Sequence, residues 1–195
     1  MQKKKTEIDK KTIESAQKGD MASFEKIVRH YEQRVLALAC NILSSPVDAR
    51  DVAQEVFIRL YTYLPGFRFQ NKFYTWLYRI VVNASYDWLR KQRRFRALSL
   101  EEVTESFQTG HEQIALDNFD LEEKVKESLN RINHVYKTAF ILKEVEGFSC
   151  KEIAEIMNCP QGTVRSHLHH ARRGLQRELQ KHYPELVKRK SGLQC

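Results

Sequence analysis

The sequence predicts an all-α protein: two small helical domains joined by a flexible acidic linker, with a helix-turn-helix in the second domain. Its 195 residues include only four prolines and seven glycines. Apolar residues recur at the three- to four-residue spacing of helices rather than in the alternation typical of strands. Hydrophobic residues make up 42% of the chain and charged residues 30%, as in folded globular proteins. We expect domains at 1–96 and 121–195, with residues 97–120 as the linker.

The first domain contains two amphipathic helices. In the first helix the apolar residues share one face, and they are Phe24, Ile27, Val28, Tyr31, Val35, Leu38, Ala39 and Ile42. A second helix starts where a capping side chain, a proline and a first-turn acid follow at Ser45, Pro46 and Asp48. Its buried stripe is predicted to be Ala49, Val52, Ala53, Val56 and Leu60. The dipeptide Pro65-Gly66 ends this segment in a turn.

A loop and a third helix complete the first domain. The loop spans 67–72, and helical spacing then resumes at the apolar positions Phe73, Leu77, Ile80, Val81, Ala84 and Trp88. This helix ends in the basic run 90–94. Residues 97–120 contain six acidic residues, no lysine or arginine, and a Thr109-Gly110 break. That composition is typical of a linker.

The second domain is predicted to contain a helix-turn-helix at residues 149–175. Ser149 and Glu152 have the spacing of a capping box. Asn158 and Pro160 favour a tight turn after the first short helix, and Ala154 is small enough to let the second helix pack closely. The expected core positions are Ile153, Met157, Val164, Leu168, Ala171, Leu175 and Leu179. An ordinary helical hairpin with a charged face is the alternative, but such a hairpin need not combine all these features.

Charge is distributed unevenly along the chain, whose formal net charge is +8. Lysine and arginine outnumber aspartate and glutamate 19 to 10 in residues 1–96 and 8 to 2 in residues 161–195, whereas the acids lead 13 to 6 in residues 97–160. Two basic regions suit a protein that holds a polyanion at two places. Charge alone is equally compatible with solvated helix faces.

The sequence offers no catalytic, cofactor or metal chemistry. It has no glycine loop for phosphate, no paired-carboxylate metal motif and no nucleophile beside a base, so we expect neither an enzyme nor a cofactor. The histidines at 167, 169 and 170 and Cys159 lack zinc-ligand spacing, so no metal site is predicted. Without a CxxC pair, a signal-peptide core or a membrane-length apolar run, we expect reduced thiols, no membrane insertion and a cytoplasmic location.

Three short motifs carry a family resemblance. They read DARDVAQEVF at 48–57, FYTWLYRI at 73–80 followed by Asn83, and GTVRS at 162–166. Together they resemble the extracytoplasmic-function (ECF) group of bacterial RNA polymerase sigma factors. The resemblance implies binding to core RNA polymerase and to promoter DNA, in an extracytoplasmic or stress response. It also implies control by an anti-sigma factor, which in this group is often membrane-bound.

The resemblance assigns three sets of residues. Polymerase contacts are expected at Asp48, Asp51, Gln54, Glu55 and Phe57. Capture of the minus-10 promoter element is expected at Phe67, Arg68, Tyr74, Trp76, Asn83, Arg90 and Lys91. Reading of the minus-35 element is expected at Arg165, Ser166, His169, His170 and Arg173. The residue types fit these roles, because aromatic rings stack on unpaired bases and arginine makes paired hydrogen bonds to guanine.

Plainer interpretations exist for several of these residues. Without the resemblance, the acids of 48–57 would be read as an ordinary solvated helix face. Phe73 and Trp88 share the apolar stripe and fit a core, and Trp76 fits either role. Asn158 and the histidine pair at 169 and 170 depart from common helix-turn-helix patterns, which leaves the base preference undefined. A one-component regulator that senses a ligand or dimerises through its first domain would explain the helix-turn-helix, but not the basic aromatic segment before it.

Overall fold

The computed structural model describes residues 7–99 and 117–184. Within these ranges it contains helices and no strand, so the all-α prediction is confirmed there. The α-helices are α1 (Lys10–Gln17), α2 (Met21–Leu43), α3 (Pro46–Tyr63), α4 (Phe73–Ser99), α5 (Asp117–Asn130), α6 (His134–Phe140), α7 (Cys150–Met157) and α8 (Gln161–His182). None of these helices is long and apolar enough to cross a lipid bilayer.

The N-terminal core lies between α2, α3 and α4, which pack against one another. The predicted stripe of α3 is buried at all five positions, and that of α2 is buried except at Phe24 and Val28, which are half-buried. The turn between α2 and α3 contains the helix cap that the sequence predicts at Ser45. Ser44 takes a left-handed backbone with a φ of 61°, and the Ser45 hydroxyl accepts a hydrogen bond from the Asp48 backbone N–H at 3.4 Å.

Helix α1 precedes the first helix that the sequence pattern predicts. It is only eight residues long and buries just Ile13 and Ala16, too few positions for a periodic signal. Asp9 caps it by accepting the Thr12 backbone N–H at 2.9 Å. Helix α1 packs against α2 and against the short 3₁₀ turn Leu64–Gly66.

The boundaries of the linker differ from the prediction. Helix α4 continues through residues 97–99 and α5 begins at Asp117, so both ends of the predicted linker are helical. Residues 97–99 and 117–120 are too few to show apolar periodicity of their own, which is why the sequence pattern did not assign them to the helices. Residues 100–116, like 1–6 and 185–195, lie outside the described residues.

The helix-turn-helix forms as predicted. The Ser149 hydroxyl accepts the Glu152 backbone N–H at 3.2 Å, and a Glu152 carboxylate oxygen accepts the Ser149 N–H at 2.9 Å. Asn158 ends α7 with a left-handed φ of 51°. The expected core position Ile153 is fully buried, and Met157 is half-buried and packs against the core; Ile156, which the pattern did not name, is also fully buried.

On α8, Val164, Leu168 and Ala171 are buried as expected, whereas Leu175 and Leu179 are half-buried. The difference arises because the far end of α8 packs against α5 rather than against the helix-turn-helix core. Gly174 lets α8 lie close to the turn between α5 and α6, since a Cβ atom at that position would lie 2.9 Å from Cγ2 of Ile132.

Removing the capping box should weaken the second domain. We expect Ser149→Ala to lower the free energy of unfolding by about 1 kcal/mol, because an N-terminal N–H of α7 loses its acceptor. Urea denaturation measures the change. Ser166→Ala on the exposed side of α8 is the matched control, with an expected change below about 0.5 kcal/mol. Equal losses in the two variants would contradict this role of Ser149.

Candidate nucleic-acid interface

The outer face of α3 combines carboxylates with exposed apolar side chains. Asp51, Gln54 and Glu55 are exposed, as the predicted contact surface requires. Ile58 and Tyr61 continue this face and leave 62% and 52% of their surface in solvent. Exposed apolar residues beside charged ones are typical of a protein-binding surface. The sequence analysis missed these two, although their spacing from Gln54 places them opposite the buried stripe.

Two other residues of the predicted polymerase set lie at the margin of this face. Asp48 is half-buried in the first turn of α3, and Phe57 packs partly against the N-terminal core. Glu55 is also engaged within the domain, because Arg59 donates to it at 2.7 Å and to Asp87 of α4 at 2.8 Å. Of the predicted set, Asp51 and Gln54 are therefore the simplest residues to substitute.

The first half of α4 is covered on nearly all sides. From Phe73 to Ser85, all positions are buried except Trp76, Arg79 and Asn83. These three are separated by three and four residues, so they form one stripe along the helix. The stripe continues with the exposed Arg90, which donates to Asp87 at 2.5 Å.

The far end of α4 and one further position complete this surface. Lys91, in the predicted minus-10 set, is exposed beside Arg90. Arg79 is not in that set, although it lies on the stripe between Trp76 and Asn83. The seven-residue spacing from Trp76 to Asn83 was the signal that could have found it.

The loop before α4 is organised by aromatic rings. Phe67 is 7% exposed, and its ring centroid lies 4.9 Å from those of Phe69 and Trp76 and 5.4 Å from that of Phe73. The Phe67 ring is therefore enclosed by other rings in this arrangement. Arg68 is exposed on the same loop, and Trp76 is half-buried with part of its indole accessible.

Tyr74 lies beneath the C-terminal domain. Its hydroxyl donates to Glu152 of α7, and the ring lies 5.7 Å from that of Phe148. Lys72 donates to the Tyr74 hydroxyl at 3.0 Å and to Glu152 at 3.4 Å. Burial, together with the bond to Glu152, raises the pKa of Tyr74. In this arrangement the Tyr74 ring is covered rather than presented to a base.

Further contacts join the two domains around this point. Tyr78 packs against Phe148 with ring centroids 5.0 Å apart and donates to Glu146 at 3.1 Å. Near the other end of α4, Arg93 lies 3.2 Å from Nδ1 of His134 at the start of α6. The interface thus combines packed aromatic rings, with Phe148 against Tyr74 and Tyr78, with polar pairs, and one buried hydrophobic cluster continues from the first domain into the second.

A buried lysine also joins the domains. Lys137 of α6 is 5% exposed, and its ammonium donates to the Ile42 carbonyl at 3.1 Å, to Ser44 Oγ at 2.5 Å and to Asn130 Oδ1 at 2.8 Å. The first two acceptors lie at the C-terminal end of α2, where the helix dipole favours a cation. Burial nevertheless lowers the pKa of Lys137 to about 8.

All five side chains of the predicted minus-35 set are exposed on α8. His170 stacks on the ring of Tyr136 of α6, with centroids 5.1 Å apart and the ring planes 25° from parallel. His167 lies against the same ring at 5.4 Å, and burial lowers its pKa. Arg172, outside the predicted set, is held by Glu144 at 2.8 Å. Arg165 and Ser166 stand at the start of the helix, where a groove-binding side chain has the greatest reach.

No group of three or more histidine, cysteine, aspartate or glutamate side chains is placed to hold a metal ion in 7–99 or 117–184. Cys40, Cys150 and Cys159 are free thiols.

The burial of Lys137 predicts a pH dependence of stability. Below about pH 8 the lysine is protonated in both the folded and the unfolded state, but between about pH 8 and 10.5 only the unfolded state keeps the proton. Deprotonation in the folded state therefore raises the free energy of unfolding with pH. By pH 9.5 we expect the free energy of unfolding of wild type to rise by roughly 2 kcal/mol relative to that of Lys137→Met, compared with their difference below about pH 8. Urea denaturation at each pH tests this, with Lys126→Met on exposed α5 as control; parallel curves for wild type and Lys137→Met would contradict it.

Family models match both halves of the chain. The model for sigma-70 region 2 matches residues 27–95, and the model for sigma-70 region 4 matches residues 122–175. The first match begins within α2 and extends through α3, the following loop and α4 to residue 95. The second contains α6, α7 and the exposed start of α8.

Solved structures share this architecture. The structure of CnrH in complex with the cytosolic domain of CnrY superposes with a TM-score of 0.66 at 19% identity, covering 89% of this chain and 98% of that one. The sigma factor RpoE of Bartonella quintana, solved in complex with the anti-sigma factor NepR, gives a TM-score of 0.65 at 26% identity over 80% and 96% of the two chains.

Sequence relatives extend over almost the whole chain. The RNA polymerase sigma-H factor of Pseudomonas aeruginosa is 34% identical, covering 89% of this chain and 95% of that protein. The ECF sigma factor SigW of Bacillus subtilis is 33% identical over 87% and 96%. The ECF sigma-E factor of Escherichia coli K12 is 35% identical over 88% and 94%. This chain therefore belongs to the ECF group of RNA polymerase sigma factors, which are initiation factors rather than enzymes and which direct core RNA polymerase to promoters in extracytoplasmic or stress responses.

Proposed function

We propose that this sigma factor divides its work among three helices: α3 binds core polymerase, α4 with its preceding loop captures the minus-10 element, and the start of α8 reads the minus-35 element. The observation that carries the proposal is chemical segregation. The outer face of α3 carries exposed apolar side chains among charges of both signs, with Arg50 beside Asp51 and Arg59 paired to Glu55, whereas the outer stripes of α4 and α8 are basic. The first suits a protein surface and the other two suit phosphate.

On α3, the polymerase-binding surface is centred on Asp51 and Gln54, with Glu55 beside them. Asp48 and Phe57 support its edges from their half-buried positions. Ile58 and Tyr61 would supply the apolar area that a stable protein contact needs.

On α4, the accessible residues divide into two roles. Trp76 and Asn83 face a captured base, one by stacking and the other through its amide, while Arg68 approaches from the loop. Arg90 and Lys91 hold phosphates without reading sequence. Phe67 supports the loop from within the ring cluster, and Tyr74 takes part only after Glu152 has moved away.

On α8, Arg165 is the principal base reader, since its guanidinium can bond both acceptors of guanine in the major groove. Ser166 and Arg173 contact base or phosphate beside it. His169 and His170 flank these residues, with His170 oriented by its stack on Tyr136.

The environment of this sigma factor follows from its family. We place it in the cytoplasm, where core polymerase and DNA are found, with an anti-sigma factor as a further partner. The sigma factor RpoE of Bartonella quintana, solved with the anti-sigma factor NepR, supports that partner.

Run-off transcription tests the proposal as a whole. Purified core polymerase and a library of genomic fragments should give promoter-specific transcripts only when this chain is added. A chain that binds DNA alone as a tight dimer and leaves core polymerase without promoter specificity would favour the one-component regulator instead.

Two substitutions should separate promoter reading from polymerase binding. We expect Arg165→Ala to weaken minus-35 selection about tenfold, because a bidentate base contact contributes roughly 1–3 kcal/mol, while core affinity is unchanged. Gln54→Ala should do the reverse. Filter binding to promoter variants and fluorescence titration with core polymerase measure the two effects. Arg177→Ala, exposed farther along α8, is the control. Parallel losses in Arg165→Ala and Gln54→Ala would indicate misfolding and contradict the division of roles.

A second comparison tests whether Tyr74 is covered by the C-terminal domain. Tyr74→Phe keeps the ring but removes the hydroxyl that bonds Glu152. Because a hydrogen bond to a charged group contributes about 1.5–3 kcal/mol, we expect the free chain to bind a single-stranded minus-10 oligonucleotide about tenfold more tightly. Tyr74→Ala should bind it more weakly than wild type. Fluorescence anisotropy measures both. Weaker binding by Tyr74→Phe would mean that the hydroxyl serves the strand directly.

A further inference from the structure

The loop between α3 and α4 is held in an unusual backbone conformation. Phe69 has a φ of 52°, in the left-handed region that bulky residues rarely occupy. Such a residue persists only where its surroundings over-determine it, and such positions concentrate at binding sites. The Phe69 ring is enclosed from two directions: by the Phe67 ring at 4.9 Å and by the Lys10 ammonium, 5.0 Å from its centroid.

The N-terminal side of this loop is held by one glutamine. The side-chain amide of Gln17, the last residue of α1, donates to the Leu64 carbonyl at 3.0 Å and to the Phe67 carbonyl at 2.7 Å. Leu64 belongs to the 3₁₀ turn after α3, and its carbonyl also accepts the Phe67 N–H at 3.1 Å. One amide group thus joins the end of the turn to the start of the loop.

Helix α1 therefore touches the loop at two points. Lys10 and Gln17 are seven residues apart, or two helical turns, and lie on the same side of α1. The helix itself is anchored by the buried Ile13 and Ala16 and by its Asp9 cap. A rigid element fixed to the core can transmit its position to both contacts.

We infer that Gln17 is a positioning residue for promoter reading: by bonding the Leu64 and Phe67 carbonyls it holds loop 67–72 in the shape that presents Arg68 and Trp76 to the minus-10 strand. This inference rests on the proposed function of the loop. Gln17 acts through the backbone rather than by touching DNA. The Phe67 carbonyl that it holds lies between the ring that supports Trp76 and the exposed Arg68.

The chemistry of this contact requires a donor at position 17. A glutamate has the same length, but its carboxylate would place negative oxygens against two carbonyl oxygens. A lysine reaches a similar distance and can donate to both carbonyls. Gln17→Glu therefore removes the donor without changing the side-chain length, whereas Gln17→Lys keeps a donor.

The experiment compares these variants with charge-matched controls at Gln33, which is exposed on α2. The full-length variants are Gln17→Glu, Gln17→Lys, Gln33→Glu and Gln33→Lys. For each, hydrogen exchange of the peptide covering 67–72 reports the loop. The ratio of affinities for a preferred and a scrambled single-stranded minus-10 oligonucleotide reports strand selectivity, and titration with core polymerase reports the α3 surface.

We expect Gln17→Glu to speed exchange in 67–72 and to reduce strand selectivity by about tenfold each, as the loss of two hydrogen bonds implies. Core polymerase affinity should stay within about twofold of the Gln33→Glu value, a difference below about 0.5 kcal/mol. Gln17→Lys should restore selectivity to the level of Gln33→Lys. The split between strand selectivity and polymerase affinity is what a purely structural residue would not produce.

Three results would overturn the inference. Faster exchange with unchanged selectivity means that the loop shape does not govern reading. Equal losses of selectivity and polymerase affinity mean that Gln17 only supports the fold. If the wild type shows no strand selectivity, the proposal that this loop captures the minus-10 element is wrong. Hydrogen exchange then shows separately whether Gln17 holds the loop.

Discussion

Burial of the first half of α4 is the constraint on which the arrangement depends. Helices α2 and α3 cover one side of it, and Phe148 with α7 covers the side that carries Tyr74 and Tyr78. These neighbours cover most of the surface of the helix, so only one stripe, through Trp76 and Asn83, remains in contact with solvent. The surface offered to nucleic acid is thus determined by what the rest of the helix must bury.

The joint between the domains uses side chains that also complete helix ends. One oxygen of Glu152 closes the capping box of α7 while the other accepts from Tyr74. Lys137 similarly satisfies the carbonyl end of α2 from the other domain. These polar pairs border a buried hydrophobic cluster that continues from the N-terminal core through Ile141, Leu142 and Phe148 into the second domain. Separating the domains would therefore expose buried apolar surface as well as break polar pairs.

The three surfaces differ in chemistry because they serve different classes of partner. The basic stripes of α4 and α8 would attract a phosphate backbone, whereas the outer face of α3 has nearly balanced charges and exposed apolar side chains and would not. Placing the polymerase surface on a separate helix from the promoter surfaces allows one chain to hold both partners at once. Helix α1 adds support from outside this set, through one amide that bonds two carbonyls of the loop.

The sequence by itself determined the helices, their buried stripes, the capping box of α7 and the family, because these depend on local spacing and on side-chain chemistry that tertiary contacts do not change. Only the tertiary structure decided which aromatic residues stay accessible. Phe67 and Tyr74 look alike in sequence as stacking residues, yet one is enclosed by rings of its own loop and the other by Glu152 of a distant helix. Helix α1 and Gln17 were equally invisible, since two buried positions make no periodic pattern and a bond across 47 residues leaves no local signal. Burial is a property of what packs on a side chain, and for these residues the packing partner lies far away along the chain.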